Sequence, residues 1–160
     1  MKRITATTLI IFILAGCHLQ KKSGEPLPAF DLLLVDSTTH FNTANIPDGK
    51  PVVLMYFSPD CSHCQNETRD ILDKMDSLEN VRFYLITNDP SERLWVYDKM
   101  FKLYNYSNIT LGRDYKYFFP GHFKNVVPPY MVVYDSDKFG RAVFSGDSSV
   151  NKIISFINTL

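Results

Sequence analysis

The chain has 160 residues, with 17 Lys plus Arg against 17 Asp plus Glu and a formal net charge of zero. That length suits one ordinary domain rather than two, and the balanced charge removes the electrostatic footprint of a nucleic-acid binder. A 45% hydrophobic share excludes a disordered chain, and three cysteines are too few for a disulfide scaffold.

Met1-Lys2-Arg3 is a short basic segment, and a predominantly apolar run follows from Ile4 to Leu14. This is the pattern of a secretory signal, and the run is shorter than the roughly 20 residues of a membrane span. It ends Leu14-Ala15-Gly16-Cys17, which resembles the lipobox of bacterial lipoproteins. The resemblance implies cleavage before Cys17, with residues 1–16 as the signal peptide and a diacylglycerol on Cys17. Residues 17–27 then read as a lipidated tether and residues 28–160 as the folded domain. Several acyl chains on one residue anchor stably, where a single chain is marginal. The expected location is the bacterial cell envelope, lipid-anchored and facing the periplasm. The lack of Asp after Cys17 favours the outer membrane by the enterobacterial sorting pattern. The bland alternative is an ordinary secretory signal followed by a chance cysteine.

In chain order, residues 30–35 are expected to form a strand, 36–39 carry turn chemistry, and 40–43 return as a weaker strand. A firm break over 47–51 precedes residues 52–57, a continuous apolar run that suits a central strand covered on both faces. Ile71, Leu72, Met75 and Leu78 fall on one side of a helix starting near Cys61. Residues 81–87 are the next strand. Asp89-Pro90-Ser91-Glu92 signals a helix start, with Asp89 as N-cap and Pro90 first. Leu94, Tyr97, Phe101 and Tyr104 continue that helix, and Trp95 is read with Tyr97 as packing. Residues 105–125 are rich in aromatics and broken by Gly112, Pro120 and Gly121. Short helical turns and loops are expected there, with the aromatics from Tyr115 to Phe123 mainly in the core. Residues 130–134 are a strand and 141–145 its returning partner. Asp147 or Ser148 caps a last helix with Val150, Ile153, Ile154 and Ile157 inward. The succession is an α/β layer pattern with a mixed sheet.

Asp60-Cys61-Ser62-His63-Cys64 falls where the buried strand gives way to the helix. A sulfur at a helix N-terminus meets free backbone N–H groups and the positive end of the macrodipole, which favour thiolate over thiol. Cys61 comes first and is expected to be the more exposed sulfur and the nucleophile. Cys64, one turn further in, is placed to resolve a mixed disulfide. His63 adds positive charge when protonated. Asp60 opposes the thiolate, or else serves mainly as the helix N-cap. Sequence alone does not rank these two roles.

From Val52 to Glu67 the chain resembles the active-site region of thioredoxin-like proteins, in particular the membrane-tethered, extracytoplasmic TlpA/ResA-type group. Pro28-Ala29-Phe30 resembles that group's lead-in to an N-terminal hairpin. Glu67 completes a Cys-x-x-Cys-x-x-Glu pattern, and Val127 to Asp135 resemble the loop and strand that bear the family's cis-proline, on Pro129. The resemblance implies an α/β, thioredoxin-like three-layer fold: a mixed central sheet flanked by helices, with an N-terminal β-hairpin extension. It implies that Cys61 attacks and Cys64 resolves. Pro129 packs against the disulfide, with its neighbour's backbone pairing an extended substrate. Glu67 relays protons to or from Cys64. Three positions depart from the pattern. Met55 stands where thioredoxin has a buried Asp, Asp60 replaces the usual aromatic, and Pro128, before Pro129, offers no N–H.

The implied activity is thiol–disulfide oxidoreduction, with reduction of extracytoplasmic protein disulfides, those of apocytochromes among them, favoured by analogy. No cofactor is expected beyond the redox-active Cys61–Cys64 disulfide. The implied partners are protein thiol or disulfide substrates, a membrane-side dithiol electron donor and the lipid anchor's membrane, with no nucleic acid. No metal is expected, because zinc needs four ligands and His18, His40, His63 and His122 are scattered. His40 and His122 read as surface or loop residues. A structural disulfide sits oddly at a helix start. A copper chaperone would carry a longer cysteine spacing, and a thiol peroxidase would carry Thr in place of Ser58. The competing class is a non-enzymatic thioredoxin-fold binding lipoprotein, a peptide or metal chaperone, with Pro128-Pro129 and the aromatics forming a groove.

Overall fold

The computed structural model describes residues 24–146 and 150–160. The expected signal segment, Cys17 and His18 lie outside the described residues, as do the capping candidates Asp147 and Ser148. Among the described residues no helix is long and apolar enough to cross a membrane.

The apolar run at 52–57 becomes the central strand. In chain order the elements are β1 (Asp31–Leu34), β2 (His40–Asn42), β3 (Val52–Tyr56), α1 (Ser62–Asp73), β4 (Arg82–Thr87), α2 (Ser91–Phe101), β5 (Ile109–Arg113), α3 (Phe118–His122), β6 (Tyr130–Tyr134), β7 (Gly140–Ser145) and α4 (Val150–Ile157). They build one seven-stranded sheet in the order β2-β1-β5-β4-β3-β6-β7. The β3–β4 and β4–β5 pairs are parallel, and the pairs at both flanks are antiparallel. The sheet is therefore mixed, as expected, and β1–β2 is the N-terminal hairpin. Asp36 closes its turn by accepting from the Thr38 and Thr39 backbone N–H groups at 3.0 and 2.8 Å.

Alternation along the strands divides the core in two. Val53, Met55 and Phe57 face one layer with Phe83, Leu85, Met131 and Val133, and this layer is covered by α1, α2 and α4 through Ile71, Leu94, Tyr97, Ile153 and Ile157. Val52 and Leu54 face the other layer with Tyr84, Ile86 and Val132, covered by Phe119 of α3 and by Phe30 and Ile46 of the N-terminal segment. Both faces are closed, which is why the 52–57 run carries no polar residue. Each such side chain, fully buried, contributes about 1.5–3 kcal/mol by apolar transfer. Met55 is completely buried between Leu85 and Met131, so the layer beneath the cysteines holds a thioether at that register position.

Several expectations are corrected. Residues 105–125 are not merely turns and loops, since β5 lies within them and joins β4 to the hairpin. Gly112, read as a break, sits inside that strand: a side chain there would meet the Cβ of Leu32 at 3.0 Å. The helix after β4 starts at Ser91 with Pro90 as N-cap and no side-chain cap. Asp89 instead accepts from Thr87 Oγ1 at 3.0 Å and Ser58 Oγ at 3.2 Å. Trp95 and Tyr104 are exposed, at 54% and 59%, so they do not pack in the core. Of the aromatics after β5, Phe119 is buried and Tyr117 is exposed.

Candidate active site

The site is assembled at the C-terminal end of β3. Phe57 N–H donates to the Ile86 carbonyl at 2.9 Å, which carries the parallel ladder one residue past the strand. The chain then turns through Ser58, Pro59 and Asp60. Cys61 N–H donates to the Ser58 carbonyl at 3.1 Å, and Gln65 Nε2 braces the turn by donating to the Pro59 carbonyl at 2.9 Å. Cys61 is itself the N-cap of α1, in extended backbone conformation, and its sulfur accepts from the Cys64 N–H at 3.3 Å. The alternative role for Asp60 is thereby corrected. Its exposed carboxylate points instead to Arg93, on α2.

Both cysteines are free thiols, Cys61 half-buried and Cys64 completely buried. The Pro128–Pro129 peptide is cis, and the Pro128 carbonyl oxygen lies 4.0 Å from the Cys61 sulfur. Pro129 is buried, and its carbonyl accepts from Gly146 N–H at 2.9 Å, tying the loop to the end of β7. Cys64, Glu67, Thr68 and Ile71 form the buried stripe of α1. Glu67 therefore shares the face of Cys64, one turn on, where i,i+3 side chains are neighbours. His63 is exposed with Ser62 on the outer side of the first turn. His40 lies edge-on to Tyr115, and His122 stacks on Phe118 in the layer across the sheet from α1. Neither belongs to the cysteine site. Among the described residues no cluster of three or more His, Cys, Asp and Glu is arranged to hold a metal.

Sequence reasoning missed what α2 brings to the site. Tyr97, read as packing, donates its hydroxyl to the Cys64 carbonyl at 3.3 Å and pairs with Thr68 Oγ1 at 2.7 Å, while its ring packs on Phe57. A helical stripe signals the burial of Tyr97, but nothing in one chain's spacing says which helix its hydroxyl reaches. A cavity of about 290 Å³ opens beside the motif, lined by Pro59, Asp60, Gln65, Arg93, Val96 and Met100 among others.

Burial pushes the Cys64 thiol up from its ordinary 9.0 to about 12, helped by its hydrogen bond with Cys61. At about pH 8 iodoacetamide is therefore expected to label Cys61 and to spare Cys64 until the protein is unfolded. Peptide mapping by mass spectrometry reads the two sites separately. The raised value also sets a sign for stability. Unfolding lets this proton go more easily, so the Cys64 contribution is complete below pH 9 and fades as pH climbs toward 12. Reduced Cys64→Ser protein should lack that part of the alkaline decline in denaturation midpoint.

No family model matches the chain, and no curated protein matches it. Its fold does match solved structures. A secreted disulfide oxidoreductase of Mycobacterium tuberculosis, homologous to E. coli DsbE, aligns at TM-score 0.68 and 18% identity over 82% of this chain and 96% of that one. A thiol:disulfide interchange protein of the thioredoxin family from Chlorobium tepidum aligns at 0.69 and 18%, over 86% and 97%. Peroxidoxin BcpB of M. tuberculosis aligns at 0.71 and 17%, over 87% and 97%. At such identities the likeness establishes the fold, which is thioredoxin-like.

Proposed function

We propose that the chain is an extracytoplasmic thiol–disulfide oxidoreductase, held to the envelope by lipid on Cys17, that reduces disulfides in protein substrates with its Cys61–Cys64 pair. The observation that carries this reading is the asymmetry of the pair. One sulfur caps a helix at the surface against the Pro128 carbonyl, and the other is buried beneath it as a neutral thiol. The redox proteins among the structural neighbours support it.

In the forward direction the Cys61 thiolate attacks one sulfur of a substrate disulfide. That S–S bond breaks, and the departing substrate thiolate takes up a proton. Cys64 then gives up its proton and attacks Cys61 in the mixed disulfide. The Cys61–Cys64 bond forms, and the second substrate sulfur leaves reduced. Two electrons have passed to the substrate, and an external dithiol, drawn from the membrane side, must return them. Because Cys64 is neutral at rest, the second step needs a proton acceptor. Glu67 is the buried carboxyl one turn away on the same helix face.

Topology adds an orientation. Gly24 and Pro26 lie at the β6–β7 turn, where Pro26 bridges Phe139 and Gly140 N–H donates to Glu25. That is the end of the sheet where Val52 faces Tyr134, whereas Cys61 follows the opposite end, where Tyr56 faces Tyr130. A tether leaving from residue 24 starts from the pole opposite the cysteines, which suits protein substrates that approach from the aqueous side.

The test is equilibration of residues 24–160 in glutathione or dithiothreitol buffers. A reversible two-electron couple is expected, near the −270 mV or so of thioredoxin for a reductase. A value near about −120 mV would make the protein a disulfide donor. Absence of any dithiol–disulfide equilibrium would overturn the enzyme reading and leave a binding lipoprotein.

A further inference from the structure

The carboxylate next to the nucleophile has a cationic partner. Arg93, in the first turn of α2, donates to Asp60 Oδ2 through Nη2 and to Asp89 Oδ1 through Nη1, the latter at 2.9 Å. Asp89 in turn accepts from Ser58 Oγ at 3.2 Å and Thr87 Oγ1 at 3.0 Å. One guanidinium thus joins α2, the turn that leads into Cys61 and the end of β4. We propose that Arg93 is a positioning residue for Cys61, holding and balancing the Asp60 carboxylate so that its charge does not oppose the neighbouring thiolate. This rests on Cys61 being the attacking thiol.

The physical case is direct. Asp60 is covalently adjacent to Cys61 and 68% exposed, and its carboxylate would disfavour a second negative charge beside it. Two unit charges a few ångströms apart in a water-like medium shift an equilibrium about three- to fivefold. A guanidinium cannot lose its proton, so it cancels this at any working pH. The other titratable or charged groups around the motif are Cys64 and Glu67 from the buried stripe of α1, His63 from its exposed side, Tyr97 and Glu92 from α2, the latter lining the same cavity as Asp60 and Arg93, and Asp89 after β4. The loop before β6 contributes the Pro128 carbonyl. Of these groups Asp60 is bonded directly to Cys61, and Arg93 is the cation that contacts it. An exposed ion pair of this kind adds little to stability, so its effect belongs in thiol reactivity.

The experiment is the pH–rate profile of iodoacetamide alkylation at Cys61, followed at its peptide by mass spectrometry in the reduced full chain. Arg93→Gln is expected to slow alkylation about three- to fivefold at neutral pH and to raise the profile's midpoint by about half a unit, with the melting temperature unchanged. Arg93→Lys should keep most of the wild-type rate. Asp60→Asn placed on Arg93→Gln should restore it, and high salt should shrink the difference between Arg93→Gln and wild type. An unmoved midpoint in Arg93→Gln, or a double variant as slow as the single one, overturns the proposal. Substrate turnover assayed alongside separates the two readings. A shifted profile without turnover would sink the oxidoreductase reading alone, and intact turnover with an unmoved midpoint would sink the role of Arg93 alone.

Discussion

Cys61→Ser is expected to abolish disulfide exchange, a loss on the order of 10³-fold or more, because a serine hydroxyl is not ionised near neutral pH and cannot form the mixed disulfide. Cys64→Ser is expected to behave differently. Its Cys61 still attacks, but no buried thiol remains to release the product, so a Cys61–substrate mixed disulfide accumulates. Non-reducing gels and mass spectrometry of the adduct read both outcomes. The assignment follows from geometry: the half-buried sulfur is the one a substrate reaches, and the completely buried one reaches only its neighbour. Adducts that appear with Cys61→Ser and not with Cys64→Ser would reverse the two roles. A partner that stays bound to Cys61→Ser, with no adduct in either variant, would favour the binding lipoprotein.

Gly112→Val is expected to lower stability by about 1–3 kcal/mol, the usual cost of forcing extra atoms into a packed core. A Cβ at this position would lie 3.0 Å from Leu32 Cβ and 3.2 Å from its Cδ1, and Leu32 is completely buried. Gly112 pairs with Ile86 on one side and Leu34 on the other. The displaced atoms therefore belong to the seam between the hairpin and the parallel strands. Gly121→Ala is the control: nothing lies within 4 Å of its new carbon, so its denaturation midpoint should stay close to wild type. Equal midpoints for the two variants would show that Leu32 can move aside, and the close approach would not then account for the glycine.

The readable parts of the chain were those whose burial is set by local pattern. The 52–57 run and the 130–134 strand are apolar because each is covered on both faces, and they emerged as β3 and β6 within a residue. The helix stripes of α1 and α4 were legible for the same reason, through Ile71, Ile153 and Ile157. Strand β5 was not. It is five residues long, holds a glycine and a threonine, and only Leu111 and Gly112 in it are buried. Its neighbours β4 and β1 supply the pairing that makes it a strand, and neither is close in sequence. Trp95 failed in the opposite sense, since helical spacing near Tyr97 does not say which side of α2 meets the sheet.

The sequence by itself determined the mixed α/β architecture and the Cys61-x-x-Cys64 pair at the junction of a buried strand and a helix. These follow from local rules: apolar runs, periodicity and the chemistry of helix starts. Only the tertiary structure decided that Asp60 turns to Arg93 and that Tyr97 holds the Cys64 carbonyl. It alone set the Pro128 carbonyl 4.0 Å from the Cys61 sulfur, across 67 residues of chain. Each of these contacts joins elements far apart in sequence. Their existence depends on how the layers stack, and no spacing along one chain encodes that.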